Sequence, residues 1–297
     1  MKKGFSLIEL IFVIAILGIV SSIGAEVLIK STEAYLLQRT KQASSEKAEL
    51  AVEQIANRLS YRMDISLRGK KLDGTSIALS DIDPLLADRE EYIGLEWIGY
   101  DNDSFASSAV PGWSGFVDLD PSVTNYDSIT STGSDLNFAK KVMSEKTGSN
   151  NNAAIIFTDT PNYKNSGGTD FSYTTNCLYQ SNGCIFPVSL SGDKLTFTGG
   201  DRTSGEMIYS EYYQLASSAY TLMPEENGDS FDLFLYYNYQ PWLGENYKNG
   251  TKVLIANNIT VFRFTQQNKT IRIKTCIKQK LRKKELVTCR EKAVIRW

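Results

Sequence analysis

The chain has 297 residues, of which 42% are hydrophobic and 22% are charged, a composition typical of a globular protein with a substantial core. Lysine and arginine total 32 against 34 acidic residues, so the overall charge gives no reason to expect nucleic acid as a partner. The sequence contains no histidine, which excludes serine–histidine, cysteine–histidine and histidine-rich metal sites; we expect neither an enzyme nor a cofactor.

The first segment of the chain is apolar enough to cross a membrane. Residues 10–20 are apolar except for Gly18, and a weakly polar extension to Ala25 makes a stretch that can span about 30 Å of hydrocarbon as a helix. Lys2 and Lys3 precede this stretch, so the positive-inside rule predicts a cytoplasmic N-terminus and a remainder on the other side of the membrane.

Glu9 lies near the start of this apolar run, where an unpaired carboxylate costs roughly 2–3 kcal/mol. A plain membrane anchor leaves that cost unexplained. A cleaved secretory signal is a second alternative, but Ile23-Gly24-Ala25 is a poor cleavage site because a bulky residue occupies the position three before the cut. The third interpretation treats the carboxylate as functional and requires a partner for it.

The residues Gly4-Phe5-Ser6-Leu7-Ile8-Glu9-Leu10 resemble the processing motif of type IV prepilins and of the pseudopilins of type II secretion systems. The resemblance covers about the first 25 residues. It implies a bacterial inner-membrane protein that prepilin peptidase cleaves between Gly4 and Phe5, N-methylation of Phe5, and retention of the apolar helix. In a filament of such helices, Glu9 would face the Phe5 amine of a neighbouring subunit and set the axial register.

Residues 26–68 contain no proline and are rich in helix-forming residues. Apolar residues recur at helical spacing and predict one face that leans on a β-sheet: Ala48, Val52, Ile55, Leu59 and Met63. We expect a single helix of some sixty residues that continues from the membrane segment, with Gly18 and Gly24 as the points where it can bend.

Beyond Gly69 short β-prone runs alternate with turn residues, which predicts a β-rich head. The predicted strands are GLEWIGY (94–100), SGFVDL (114–119), AAIIFT (153–158), a hairpin over 184–200, and runs at 210–223, 230–242, 252–277 and 285–297. The stretch DLNFAKKVMSEK (135–146) predicts a short helix.

The four cysteines fall into two local pairs, Cys177/Cys184 and Cys276/Cys289, without the CxxC spacing of a zinc or redox motif. Disulfides are favoured over free thiols and indicate an oxidising compartment, although four cysteines allow three pairings. We expect the strands around Cys276 and Cys289 to form a hairpin with the two cysteines on opposing strands.

The C-terminal segment is strongly basic. Residues 272–297 carry a net charge of +8, with the sequence KQKLRKK at the predicted hairpin tip. A solvated hairpin end, whose lysines block edge-to-edge pairing, explains this charge. The alternative is contact with anionic lipid headgroups or with an acidic surface of a partner.

The C-terminal portion is also similar to the end of the J-type minor pseudopilins. The residues that match are Leu254, Asn258, Ile259, Phe262, Phe264, Arg272 and Ile273. The cysteine hairpin and the long middle loops depart from that pattern. Glu9 argues against the K-type pseudopilin, which is associated with loss of this carboxylate.

Two further groups of residues are candidate ligand sites. Asp101 and Asp103 place oxygens at alternate positions, as a calcium loop does, but lack the downstream glycine and glutamate of an EF-hand, so a solvated turn is the simpler interpretation. Aromatic residues cluster between positions 209 and 242, which suggests either a carbohydrate or adhesion surface or, more simply, core and cross-strand packing.

Together these features predict an α+β, pilin-like fold with a long N-terminal helix packed on an antiparallel β-sheet head. We expect a leader peptide (1–4), a transmembrane helix (5–25), an amphipathic stalk (26–68) and a periplasmic globular head (69–297). The predicted function is that of a non-catalytic minor pseudopilin, partnered by other pilins or pseudopilins. The alternatives are a minor pilin of a type IV pilus or DNA-uptake system and a membrane-anchored periplasmic binding protein.

Overall fold

The computed structural model describes residues 6–82, 91–105, 109–148, 152–158, 178, 184–199, 210–281 and 284–295. It confirms the α+β class, with a long N-terminal helix followed by an antiparallel β-sheet.

Helix α1 spans Leu7–Leu59 without interruption, including the two glycines at which a bend was expected. Its buried residues begin only at Ser44, and the apolar stripe lies against the sheet, with Ile55 and Leu59 at 1% and 0% exposure. The helix therefore has two halves, of which only the C-terminal half belongs to the folded head.

The stalk helix is shorter than the predicted end at residue 68. Arg62 is fully buried and donates from Nη1 to the Leu59 carbonyl (2.9 Å) and from Nη2 to the Lys269 carbonyl (2.9 Å). Met63 N donates to Ile98 O (2.8 Å), so the chain leaves the helix because it pairs with the sheet. Residues Asp64–Ser66 form a 3₁₀ turn instead of continuing α1.

The head contains twelve strands among the described residues. Their bounds are β1 Arg68–Lys70, β2 Ser76–Ala78, β3 Gly94–Tyr100, β4 Ser128–Thr130, β5 Ala154–Thr158, β6 Phe186–Ser191, β7 Lys194–Phe197, β8 Tyr212–Asn227, β9 Ser230–Tyr239, β10 Thr251–Gln267, β11 Thr270–Leu281 and β12 Lys284–Ile295. Two further helices, α2 (Asn102–Phe105) and α3 (Leu136–Thr147), lie between β3 and β5.

The strands are joined in the order β12-β11-β10-β9-β8-β5-β6-β7-β4, and every pairing is antiparallel. The long strand β8 pairs with β9 along one edge and with both β3 and β5 along the other. Strands β1 and β2 extend the β3 side.

One predicted strand is absent. Residues 114–119 make only isolated bridges, Phe116 with Tyr212 and Asp118 with Thr130. Gly115 has φ +78°, a left-handed conformation that interrupts an extended run. The Asp118 carboxylate then accepts from Asp120 N (3.0 Å), which turns the chain again.

The main core lies between the C-terminal half of α1 and the sheet. It contains Trp97 of β3 together with inward-facing residues of β9, β10 and β11, among them Leu233, Ile259 and Ile273. A second cluster packs α3 against β5–β7. The first cluster fixes the stalk on the head.

Candidate functional site

The N-terminal half of α1 is a bare segment, which means that its residues are exposed to solvent. Every residue from position 6 to 35 is exposed, and large apolar side chains are among them, such as Leu7 (78% exposed) and Phe12 (65%). Soluble proteins rarely expose an apolar surface of this extent. The helix is long and apolar enough to cross a membrane, which fits a single-pass anchor near the N-terminus.

Glu9 lies in the first turn of this bare segment. Ser6 is the N-cap residue and Glu9 is the third helical residue, a capping-box spacing, yet the Ser6 side chain makes no capping hydrogen bond. Within the part of the chain that the structure describes, the Glu9 carboxylate has no side-chain partner. A carboxylate at a helix N-terminus interacts favourably with the helix dipole, by about 0.3–1 kcal/mol. Gly4 and Phe5 lie outside the described residues.

The basic C-terminal segment meets acidic residues of α1. Arg290 Nε lies 3.0 Å from Glu49 Oε2, and Lys292 forms an ion pair with Glu53. Part of the positive charge on β12 therefore forms ion pairs that hold this last strand against the stalk helix. Neither interpretation from the sequence included this contact.

The hairpin tip also has acidic neighbours. Lys278 Nζ lies 3.1 Å from Glu285 Oε1, and Lys280 lies 3.5 Å from Asp229 Oδ2. Residues 282–283 lie outside the described residues. The surface around the tip is less positive than the local sequence suggests.

Cys276 and Cys289 are directly opposed on β11 and β12 and form a disulfide, with their Cα atoms 4.0 Å apart. Cys184 is buried and disulfide-bonded. Cys177 lies outside the described residues, so its predicted pairing stays a prediction.

Asp101 and Asp103 lie at the start of α2, and the ammonium group of Lys146 on α3 lies beside both carboxylates. Lys146 Nζ is 3.7 Å from Asp101 Oδ1 and forms a close ion pair with Asp103, while the Ser104 hydroxyl donates to Asp101. Burial raises the pKa of Asp101, against the opposing effects of Ser104 and Lys146. Among the described residues no group of three metal-ligating side chains is present. The loop therefore favours an ammonium group over a calcium ion.

The aromatic cluster is divided between core and surface. Tyr213, Tyr239 and Trp242 are almost fully buried, as the packing interpretation predicts. Tyr212 and Tyr237 remain 38% and 36% exposed. Tyr209 lies outside the described residues.

The residues that resemble J-type pseudopilins lie on β10 and β11. Ile259, Phe262, Phe264 and Ile273 form part of the main core, whereas Leu254 is 48% exposed. Asn258 (φ +56°) lies at an irregularity of β10, and Arg272 is exposed. Core packing of a hairpin therefore accounts for most of this pattern.

One polar cluster was not anticipated. Lys70 of β1 and Glu96 of β3 form a buried ion pair (Nζ–Oε2 2.7 Å), and the other carboxylate oxygen accepts from Tyr239 (2.8 Å) and Thr221 (3.1 Å). These four residues come from four strands. No spacing in the sequence brings them together, so no local signal could have found them.

Comparison with protein-family models gives one match, the prokaryotic N-terminal methylation motif, over residues 1–25. The match covers the segment that carries the processing motif and does not extend into the head. It supports a prepilin-type N-terminus and, with the bare helix, a pilin-like protein. Comparison with curated proteins and with solved structures gives no match.

Proposed function

We propose that the protein is a non-catalytic minor pseudopilin, which is stored in the inner membrane by its N-terminal helix and primes or tips a periplasmic pseudopilus for type II secretion. The observation that carries this proposal is a bare apolar half-helix with a methylation motif at its start, continuous with a half-helix packed on a folded head.

The dimensions of α1 fit both a membrane state and a filament state. About 55 Å of helix separate Leu7 from Ser44, the first buried residue, at about 1.5 Å per residue. A hydrocarbon core of about 30 Å uses little more than half of that length. This length therefore allows the head to stand clear of the membrane, on the periplasmic side that the proposal assigns to it, while the bare segment spans the bilayer, and the same segment can pack on neighbouring helices after extraction.

Glu9 and Phe5 would supply the register contact. After cleavage behind Gly4, the new Phe5 amine carries a positive charge at the end of the helix. In a bundle of apolar helices this amine and the Glu9 carboxylate of a neighbour attract strongly because water no longer screens them. A wrong axial stagger leaves both charges buried without a partner, which costs several kcal/mol.

The first experiment measures the intact mass and N-terminal sequence of the protein recovered from membranes. The proposal expects a chain that begins at N-methylated Phe5. A chain that begins at Met1, or near Glu26, would overturn pilin-type processing and leave an anchored or secreted periplasmic protein.

The second experiment compares Glu9→Ala with the matched control Glu26→Ala. Both glutamates are exposed on α1, but Glu26 pairs with Lys30 of the same helix (2.6 Å) and lies beyond the processing motif. Only Glu9→Ala should abolish cross-linking to other pilin-like subunits, while processing at Phe5 continues. Equal effects of the two substitutions would contradict the register role.

The cellular system is tested by deletion of the gene. Loss of protein secretion with surface pili intact supports the pseudopilin assignment. Loss of pili or of DNA uptake with secretion intact would replace it by a minor pilin of those systems. No change in either process favours a membrane-anchored binding protein.

A further inference from the structure

A polar cleft of about 310 Å³ lies on the head where the C-terminal end of α1 meets β3, β8, β9 and α3. Its volume is at the lower end of the range that small ligands occupy, about 300–1,000 Å³. Its lining residues include three tyrosines, Tyr61, Tyr220 and Tyr237. The proposed function does not use this cleft.

Three departures from regular strand structure converge at the cleft. The β3–β8 register shifts between Gly99 and Tyr100, and the β8–β9 register shifts between Ala219 and Tyr220. Asn238 has φ +62°, which is uncommon for a residue other than glycine. Strand irregularities often re-aim side chains at binding sites.

Gly99 leaves room for the ring of Tyr220, and both residues line the cleft. A Cβ atom at Gly99 would come within 2.7 Å of the Tyr220 ring. The ring also stacks on buried Trp97, with centroids 5.7 Å apart and an interplanar angle of 18°. Burial raises the pKa of Tyr220 above its ordinary value, against the effect of nearby Arg58 and Lys146.

The charged residues of the cleft balance one another. Asp101 and Asp103 face Lys146, and Arg58 adds a second cation at the end of α1. Two anions and two cations give no net charge. This balance disfavours a strongly charged ligand and provides both donors and acceptors for a neutral polar ligand.

An acceptor in the cleft is left without a partner. The Asn238 side-chain oxygen is buried and makes no hydrogen bond within the described residues, although its backbone N donates to Ser218 Oγ (2.8 Å). An unsatisfied buried polar atom costs about 1–3 kcal/mol. This oxygen has less than 1 Å² of accessible surface, so a ligand hydroxyl can donate to it, and remove that cost, only after the Asn238 amide turns toward the cleft.

We propose that this cleft is a carbohydrate-binding site, in which sugar hydroxyls bond to Asn238 and the charged side chains while a sugar ring packs on Tyr237. Polyhydroxylated rings match the lining because they combine donors and acceptors with apolar C–H faces. A tyrosine ring provides an apolar face with a polar tip.

The test uses the full-length protein in nanodiscs, purified without maltoside or glucoside detergents because their sugar headgroups would compete. Saturation-transfer difference NMR measures binding of two probes, chitotriose and maltotriose, at millimolar concentrations. Binding of either probe supports the proposal. A preference for chitotriose indicates an acetamido-bearing glycan, and a preference for maltotriose indicates a neutral glucan.

Two variants and a matched control locate the site. Tyr237→Ala removes the exposed ring, and Asn238→Gly removes the unpaired oxygen while suiting the left-handed backbone, so folding is retained. Each should weaken binding by about tenfold or more. Tyr212→Ala, which removes a tyrosine of similar exposure outside the cleft, should leave the affinity unchanged. The proposal would be overturned if neither probe binds, or if Tyr237→Ala and Tyr212→Ala lower the affinity equally.

Discussion

Replacement of one member of the buried Lys70–Glu96 pair should destabilise the head far more than replacement of both. The two side chains are only 5% and 1% exposed, and their charged atoms lie 2.7 Å apart. Removal of one partner leaves an uncompensated buried charge, which costs about 3–5 kcal/mol. We therefore expect Lys70→Met and Glu96→Leu each to lower the free energy of unfolding by that amount.

The double variant should be nearly as stable as the parent protein, because apolar residues of similar volume remove both desolvation penalties. The Thr221 and Tyr239 hydroxyls, 2.6 Å apart, still bond to each other after Glu96 is replaced. Urea unfolding of the full chain in detergent, followed by fluorescence of buried Trp97 and Trp242, measures all three variants. Single losses below about 1 kcal/mol, or a double variant as unstable as the sum of the singles, would refute this reasoning.

Three further predictions concern the head. The double substitution Cys276→Ala with Cys289→Ala opens a loop with a sequence separation of 13 and should cost about 3 kcal/mol in urea unfolding; an unchanged midpoint would contradict it. Lys292→Glu should lower the free energy of unfolding by about 0.2–1 kcal/mol because the Lys292–Glu53 pair is partly exposed, and adding Glu53→Lys should restore the stability. A double variant no more stable than Lys292→Glu would show that the contact contributes nothing. Burial raises the pKa of Asp101, so its contribution to stability is present below the ordinary value of 3.8 and is lost as pH rises through the raised value. The stability of Asp101→Asn relative to the parent should therefore increase as pH rises above 3.8, and a pH-independent difference would contradict this.

Local patterns predicted the elements of the head well where the periodicity was strong. The run 94–100 is strand β3 with the same bounds, and the run 135–146 becomes α3, Leu136–Thr147. Asp135 caps this helix by accepting from Phe138 N (3.1 Å). The prediction failed at 114–119 because the left-handed backbone of Gly115 overrides the β propensity of its neighbours.

The sequence predicted those features of the candidate site that neighbouring residues form, and it missed those that distant residues form. The bare apolar segment and the position of Glu9 in its first turn follow from neighbouring residues, since a helix brings together only residues three or four apart. The cleft on the head did not follow, because its lining comes from residues between positions 58 and 238.

The sequence by itself determined the apolar stalk, its amphipathic continuation and the strand-rich head, since each depends on periodicity within one segment. Only the tertiary structure decided where α1 ends and what the basic C-terminus does. Just past the end of α1, Arg62 donates to the Lys269 carbonyl, 207 residues away, and Lys292 pairs with Glu53 at a separation of 239 residues. Such contacts depend on strand order and register, which a local pattern does not encode.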